Sequence, residues 1–186
     1  METIFVQQNE IKILDDSMIN KISAGEVIER PLSIVKELVE NSIDADAKHI
    51  TVEIKNGGIN FIRVTDNGIG IAKNQVANAF LNHATSKIKN FNDFETLTTL
   101  GFRGEALCTI AAISKVNMIT KTQNETLGSE IKIHGGKIIA QNEIAATRGT
   151  TIIAENIFYN TPARLKFLKR PSVEASYISN MMNRFA

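Results

Sequence analysis

The segment Lys36-Glu37-Leu38-Val39-Glu40-Asn41-Ser42-Ile43-Asp44-Ala45 decides the reading of this chain. Wound as a helix at about 100° per residue, it puts Glu37, Asn41 and Asp44 within an arc of roughly 60°. Ile34, Val35, Leu38, Val39 and Ile43 occupy the rest of the turn and face a core. A carboxylate and an amide one turn apart therefore stand at the border of a buried face. Such a carboxylate can hold and deprotonate a water, and such an amide oxygen can ligate a hard cation such as magnesium. The same pattern also describes an ordinary solvated helix, with Lys36 and Glu40 as a surface charge pair. On this segment alone the ordinary description is preferred. The glycine-rich segments downstream reverse that preference.

Pro31 suits the first turn of this helix, which is expected to run to about Ala45. A hairpin follows. His49 to Ile54 alternates polar and apolar residues, Asn56-Gly57-Gly58 tolerates positive φ, and Ile59 to Thr65 resumes the alternation. The second strand delivers Asp66 directly before Asn67-Gly68-Ile69-Gly70. A helix is expected over Asn74 to Asn82, and Thr85 to Leu100 reads as a long polar loop. Glu105 to Ile113 reads as a short apolar helix. Lys115 to Lys121, Ser129 to Ile133, Lys137 to Gln141 and Thr150 to Ala154 read as strands, and Arg164 onward as helix. Ser17 to Ala24 is a further helix candidate, and residues 1–10 form a poorly anchored start. This order predicts an α/β fold, a two-layer α+β sandwich with a mixed, mostly antiparallel sheet and helices on one face. Residues 11–186 form one domain. Ile178, Met181, Met182 and Phe185 recur at helical spacing up to the last residues, so the sequence is expected to be a piece of a longer protein.

Composition narrows the classes. The 186 residues are 43% hydrophobic and 22% charged, with a formal net charge of +1. That fits a globular protein with no overall field toward nucleic acid or membrane. No apolar run is long enough to span a bilayer, and no signal-peptide pattern opens the chain. The single cysteine, Cys108, rules out an internal disulfide and reads as a buried filler compatible with a reducing compartment. His49, His83 and His134 show no zinc-binding spacing.

Three further segments carry chemistry. Asp66, at a strand end, can accept a hydrogen bond from an exocyclic amine, and Gly68 and Gly70 let backbone approach a flat ring; a plain Asp-Asn-Gly turn is the alternative. Gly101-Phe102-Arg103-Gly104-Glu105-Ala106-Leu107 opens a helix whose free amides suit an anion, with Lys87 of Thr85-Ser86-Lys87 as a point charge. Loop flexibility and a solvated lysine are the alternatives there. Thr150, in Arg148-Gly149-Thr150-Thr151, can meet an adenine edge or a water, or simply start a strand. These glycines match neither the Walker A nor the Rossmann pattern, so a phosphate site here belongs to another nucleotide fold.

Taken together, Glu37-x-x-x-Asn41, Asp66-x-Gly68-x-Gly70, the Gly101-to-Leu107 loop and Gly149-Thr150 resemble the GHKL ATPase superfamily. Within it, the chain is similar to the MutL family of mismatch-repair ATPases. Ala24 to Pro31, Lys36 to Asn41, His83 to Ile88, Gly101 to Leu107 and Phe158-Tyr159-Asn160-Thr161-Pro162-Ala163-Arg164 carry that likeness from about Ile11 onward.

The resemblance implies a Bergerat-type site for ATP and Mg2+. Glu37 matches the catalytic base that orients water, and Asn41 the magnesium ligand. Asp66 matches the reader of the adenine amine, with Thr150 as its helper. Ala45, Gly68, Gly70, Thr85, Ser86, Lys87, Leu100, Gly101, Phe102, Arg103 and Gly104 complete the implied nucleotide contacts, the last group as a lid over the phosphates. It further implies a cytoplasmic protein, dimerisation of the full-length protein, partners of the MutS family, and non-specific contact with DNA. Arg164, Lys166, Lys169 and Arg170, interleaved with apolar residues, are the candidate DNA patch; the polar side of an amphipathic helix explains them equally well. The family has glycine where this chain has Asp46, a residue that also tolerates the left-handed conformation. The family's second ATPase subdomain and C-terminal dimerisation domain have no counterpart in these residues. A histidine-kinase module would need a phosphoacceptor histidine on a dimerisation helix, which is not found. A DNA-binding module with a decayed pocket would not need Glu37, Asn41 and Asp66 together.

Overall fold

In the computed structural model the described residues are 28–81, 84 and 104–185. The first 27 residues, the candidate helix at Ser17 to Ala24 and the Thr85-to-Leu100 loop lie outside them.

Helix α1 spans Pro31–Asp44, with Pro31 in its first turn and no side-chain cap on Arg30. It buries Ile34, Val35, Leu38 and Val39 almost completely, each contributing about 1.5–3 kcal/mol of transfer free energy. Its C-terminus is closed by backbone alone. The Asp46 amide donates to the Ile43 carbonyl at 2.9 Å and the Ala47 amide to the Ser42 carbonyl at 3.1 Å. Asp46 sits at φ 58°. This is a Schellman ending with aspartate in the left-handed position usually held by glycine, so the expected departure from glycine leaves the helix end intact.

The hairpin forms as expected. Strand β1 (Ile50–Lys55) and β2 (Phe61–Asp66) pair antiparallel across a short 3₁₀ turn at Asn56–Gly58. Helix α2 covers Ala106–Ile113. Then come β3 (Lys115–Lys121), β4 (Gly128–His134), β5 (Lys137–Ile144) and β6 (Gly149–Glu155). The six strands form one antiparallel sheet in the order β1-β2-β6-β3-β4-β5. Alternate residues Ile62, Val64, Val116, Met118, Ile131, Ile133, Ile152 and Ala154 point into the same buried cluster as the apolar faces of α1 and α2. The expected two layers are therefore present.

Two expected elements need correction. Asn74 to Leu81, the described part of the expected Asn74-to-Asn82 helix, is not an α-helix: there are 3₁₀ turns at Lys73–Gln75 and Asn78–Phe80, and Leu81 is extended. Asn74 and Asn78 favour local turns over a continuous helix, and Val76 is the segment's one fully buried side chain among the described residues. The helix expected from Arg164 onward is broken. Helix α3 covers Pro162–Leu165 and α4 covers Pro171–Phe185. Pro171 has no amide to continue a helix and disfavours helical backbone at Arg170. In α4, Ile178 is buried and Met181 and Met182 pack on the core.

Helix α2 is anchored at its C-terminus with unusual completeness. Its last four carbonyls have no partner within the helix. Ile110 receives the Ser114 hydroxyl at 2.6 Å. Ala111 receives the Gly136 amide and Ile113 the Phe158 amide, each at 2.8 Å. Ala112 receives the Asn160 side-chain amide at 2.8 Å. The Phe158-Tyr159-Asn160 motif thus holds a helix end. Phe158 is fully buried and keeps a left-handed φ of 64° to do so. Cys108, expected as a buried filler, is half-buried; its thiol donates to the Glu105 carbonyl at 3.2 Å, and burial pushes its pKa up.

Candidate functional site

The C-terminus of α1 and the end of β2 meet through the Asp66-Asn67-Gly68-Ile69 loop. The Asn67 side-chain oxygen accepts the Lys48 and His49 amides at 2.8 and 2.9 Å. The Ile69 amide donates to the Ala45 carbonyl at 2.9 Å. These bonds lock the loop against the helix end and fix the direction of Asp66.

The Asp66 carboxylate is already engaged by its own chain. Its Oδ1 accepts the Gly68 amide at 2.8 Å and the Thr150 amide at 3.2 Å. Its Oδ2 lies 3.0 Å from the Ser42 hydroxyl, which also reaches the Leu38 carbonyl at 3.0 Å. An ionised carboxylate has about four lone-pair positions, so at least one position on Oδ2 remains for an outside donor. Asp66 pairs in register with Thr150 on β6, and Thr150 with Thr120 on β3. The three side chains form a polar row across the helix-facing side of the sheet. Thr120 is buried; its hydroxyl lies 3.0 Å from that of Thr150 and 3.1 Å from the Gly149 carbonyl, and accepts the Ile71 amide at 2.9 Å.

The glycines have a packing reason. At Gly149, with φ 116°, a Cβ would stand 2.1 Å from the Asp66 carbonyl oxygen. At Gly70, with φ 73°, it would stand 2.2 Å from the Lys121 oxygen. Their close approach is to the protein's own backbone, which brings the strand ends together around Asp66. Gly68 is buried in the same loop, and its carbonyl accepts from Arg148 Nε at 3.1 Å.

Glu37 and Asn41 sit half-buried on successive turns of α1, with Asn41 adjoining Ser42. Ala45 is the helix C-cap. Glu40, expected at the surface, is buried and ion-paired with Lys36 at 2.8 Å. That bond, opposed by burial and helped by the charges of Glu40 and Glu37, raises the Lys36 pKa. Gly104, left-handed at φ 63°, and Glu105 lead into α2. Thr85, Ser86, Lys87, Leu100, Gly101, Phe102 and Arg103 lie outside the described residues.

Among the described residues no group of three or more His, Cys, Asp or Glu side chains is placed to hold a metal. The single amide oxygen of Asn41 suits a magnesium ion, which usually keeps water and phosphate oxygens in the rest of its shell.

Lys166, Lys169 and Arg170 are exposed and Arg164 is half-buried. They straddle the break between α3 and α4, so they do not form one polar helix side. Phe167 among them is 82% exposed.

Ser42 and Thr120 were not singled out from sequence. Ser42 adjoins Asn41 inside the decisive segment, but its partner is a strand distant in sequence. Thr120 did leave a signal: it continues the buried alternation of Val116 and Met118 with a polar residue.

Residues 29–160 match the family described as histidine kinase-, DNA gyrase B-, and HSP90-like ATPases, and the chain belongs to that family with its GHKL, Bergerat-type fold. Within it, the relatives carry the name DNA mismatch repair protein MutL, and the likeness is to the N-terminal ATPase region. The MutL of Caldanaerobacter subterraneus subsp. tengcongensis is 54% identical over 95% of this chain and 30% of its own length. That of Agathobacter rectalis is 56% identical over 95% of this chain and 27% of its own length. The chain thus spans less than a third of these relatives. Among solved structures, the Aquifex aeolicus MutL ATPase domain complexed with ADP matches at TM-score 0.66 and 32% identity, over 86% of this chain and 56% of that one. The N-terminal domain of a DNA repair protein matches at TM-score 0.73 and 31% identity, over 88% and 47%. No helix among the described residues is long and apolar enough to cross a membrane.

Proposed function

We propose that this chain binds ATP with magnesium, hydrolyses it slowly, and serves as the nucleotide switch of a MutL-like mismatch-repair protein. One observation carries the reading: Asp66 is held by the Gly68 and Thr150 amides beside the Ser42 hydroxyl, in register with Thr150, with at least one acceptor position left over. A carboxylate so prepared suits the amine of adenine. The ADP complex of the Aquifex aeolicus relative supports a nucleotide at this fold.

In this scheme the base lies against Asp66, Gly68, Gly70 and Thr150, near Ala45. The phosphates run toward Asn41 and the start of α2 at Gly104. Asn41 supplies one oxygen to the magnesium ion, which neutralises phosphate charge when bound. Glu37, one turn earlier, orients the attacking water. In phosphoryl transfer the protein contributes mostly positioning and charge neutralisation, so the main contribution of Glu37 is position. Thr85, Ser86, Lys87, Leu100, Gly101, Phe102 and Arg103 close over the phosphates as a lid, and closure drives N-terminal dimerisation in the full-length protein. That protein works in the cytoplasm with MutS-family partners and DNA.

The direct test is calorimetry with a non-hydrolysable ATP analogue, with and without magnesium, on wild type and Asn41→Ala. Magnesium should strengthen wild-type binding and leave the variant nearly unaffected. Equal magnesium dependence in both proteins removes Asn41 from the metal site.

A further inference from the structure

We propose that Thr120 is a positioning residue that sets the direction of the Thr150 hydroxyl, so that the base end of the pocket only accepts hydrogen bonds and selects a 6-aminopurine over a 6-oxopurine. The proposal rests on the nucleotide reading above and deepens it.

The argument is an accounting of one proton. A threonine hydroxyl has one hydrogen and two lone pairs. Thr120 Oγ1 has three neighbours in hydrogen-bond reach: the Ile71 amide at 2.9 Å, the Gly149 carbonyl at 3.1 Å and the Thr150 hydroxyl at 3.0 Å. The amide can only donate and the carbonyl can only accept. One arrangement makes all three bonds: Thr120 donates to Gly149 and accepts from both Ile71 and Thr150. The Thr150 hydroxyl has then given its hydrogen inward and offers only lone pairs outward. Thr120 is 1% exposed, and a buried polar group left without its partners is costly. The arrangement therefore persists when a ligand arrives.

The neighbouring carboxylate has the same polarity. The position left on Asp66 is an acceptor, and Asp66 and Thr150 face each other across β2 and β6. Adenine offers an amino group with two N–H donors. Hypoxanthine offers a carbonyl oxygen in the same place, which meets lone pairs with lone pairs. Removing the Thr120 hydroxyl frees Thr150 to rotate and donate, and this relieves the mismatch.

The probes are ATP, ITP and purine riboside triphosphate, which lacks any 6-substituent. Dissociation constants are measured for wild type, Thr120→Val and Thr120→Ser. Wild type should bind ATP best, purine riboside triphosphate next and ITP worst. The ATP-over-ITP preference should fall about five- to tenfold in Thr120→Val and return in Thr120→Ser. A merely structural role would weaken both nucleotides alike and leave their ratio unchanged, and that result overturns the proposal. Should the valine variant not fold, Thr120→Ala is read the same way. Independently of any variant, ITP binding wild type as well as purine riboside triphosphate overturns it. Failure of wild type to bind any of the three instead defeats the underlying nucleotide reading.

Discussion

Asp66 shows how little freedom a recognition residue needs. Its carboxylate is fixed by Gly68, Thr150 and Ser42, so ligand binding need not pay again to orient it. Asp66→Asn replaces one acceptor oxygen by a donor. Either the pocket side loses its acceptor or a backbone amide loses its partner. ATP affinity should fall by about 1.5–3 kcal/mol, read by calorimetry; unchanged affinity dismisses Asp66 as the base reader. Glu37→Ala should behave differently. It stands a turn away from Asn41 on α1, beside the expected phosphates, so turnover should collapse while ATP binding survives. Loss of both together contradicts that separation.

At the scale of elements, the ends matter most. The four terminal carbonyls of α2 depend on Ser114, Gly136, Asn160 and Phe158. Asn160→Ala should cost about 1–3 kcal/mol of unfolding free energy, measured by urea titration, because it leaves the Ala112 carbonyl without its partner. A second end is tied by Glu125, which accepts the Lys73 amide at 2.9 Å and the Thr122 hydroxyl and amide at 2.7 and 3.1 Å. These bonds, the one from Lys73 foremost, hold its carboxyl below the usual range. A depressed folded value means that the stabilisation is present above the unfolded pKa of about 4.3 and is lost as pH falls through the folded one. Acid titration should therefore loosen the Lys73 region in wild type more than in Glu125→Gln.

Most elements were legible because their periodicity is strong. α1 begins at its proline, and β1, β2 and β3 alternate cleanly. The Asn74-to-Asn82 segment misled because Val76, Ala77 and Phe80 imitate helical spacing while the asparagines prefer turns. Glu37, Asn41 and Asp66 stood out as chemical types at telling spacings. Ser42 and Thr120 did not, since their importance lies in contacts made across the fold, 24 and 30 residues away in sequence. The packing role of Gly70 and Gly149 was hidden for the same reason.

For the whole molecule, the net charge of +1 leaves DNA contact to a local patch. If Lys166 and Lys169 neutralise phosphates, reversing both charges should reduce the slope of log affinity against log salt by about two. An unchanged slope removes them from the DNA surface. The sheet adds a consequence of its own. The backbone amides of Gly68 and Thr150 both end on one side-chain oxygen of Asp66. A base that docks on the other oxygen, Oδ2, draws electron density from the same carboxylate. Those two resonances in a nitrogen–proton spectrum then become native reporters, shifting together when a base arrives and staying still when only phosphate does.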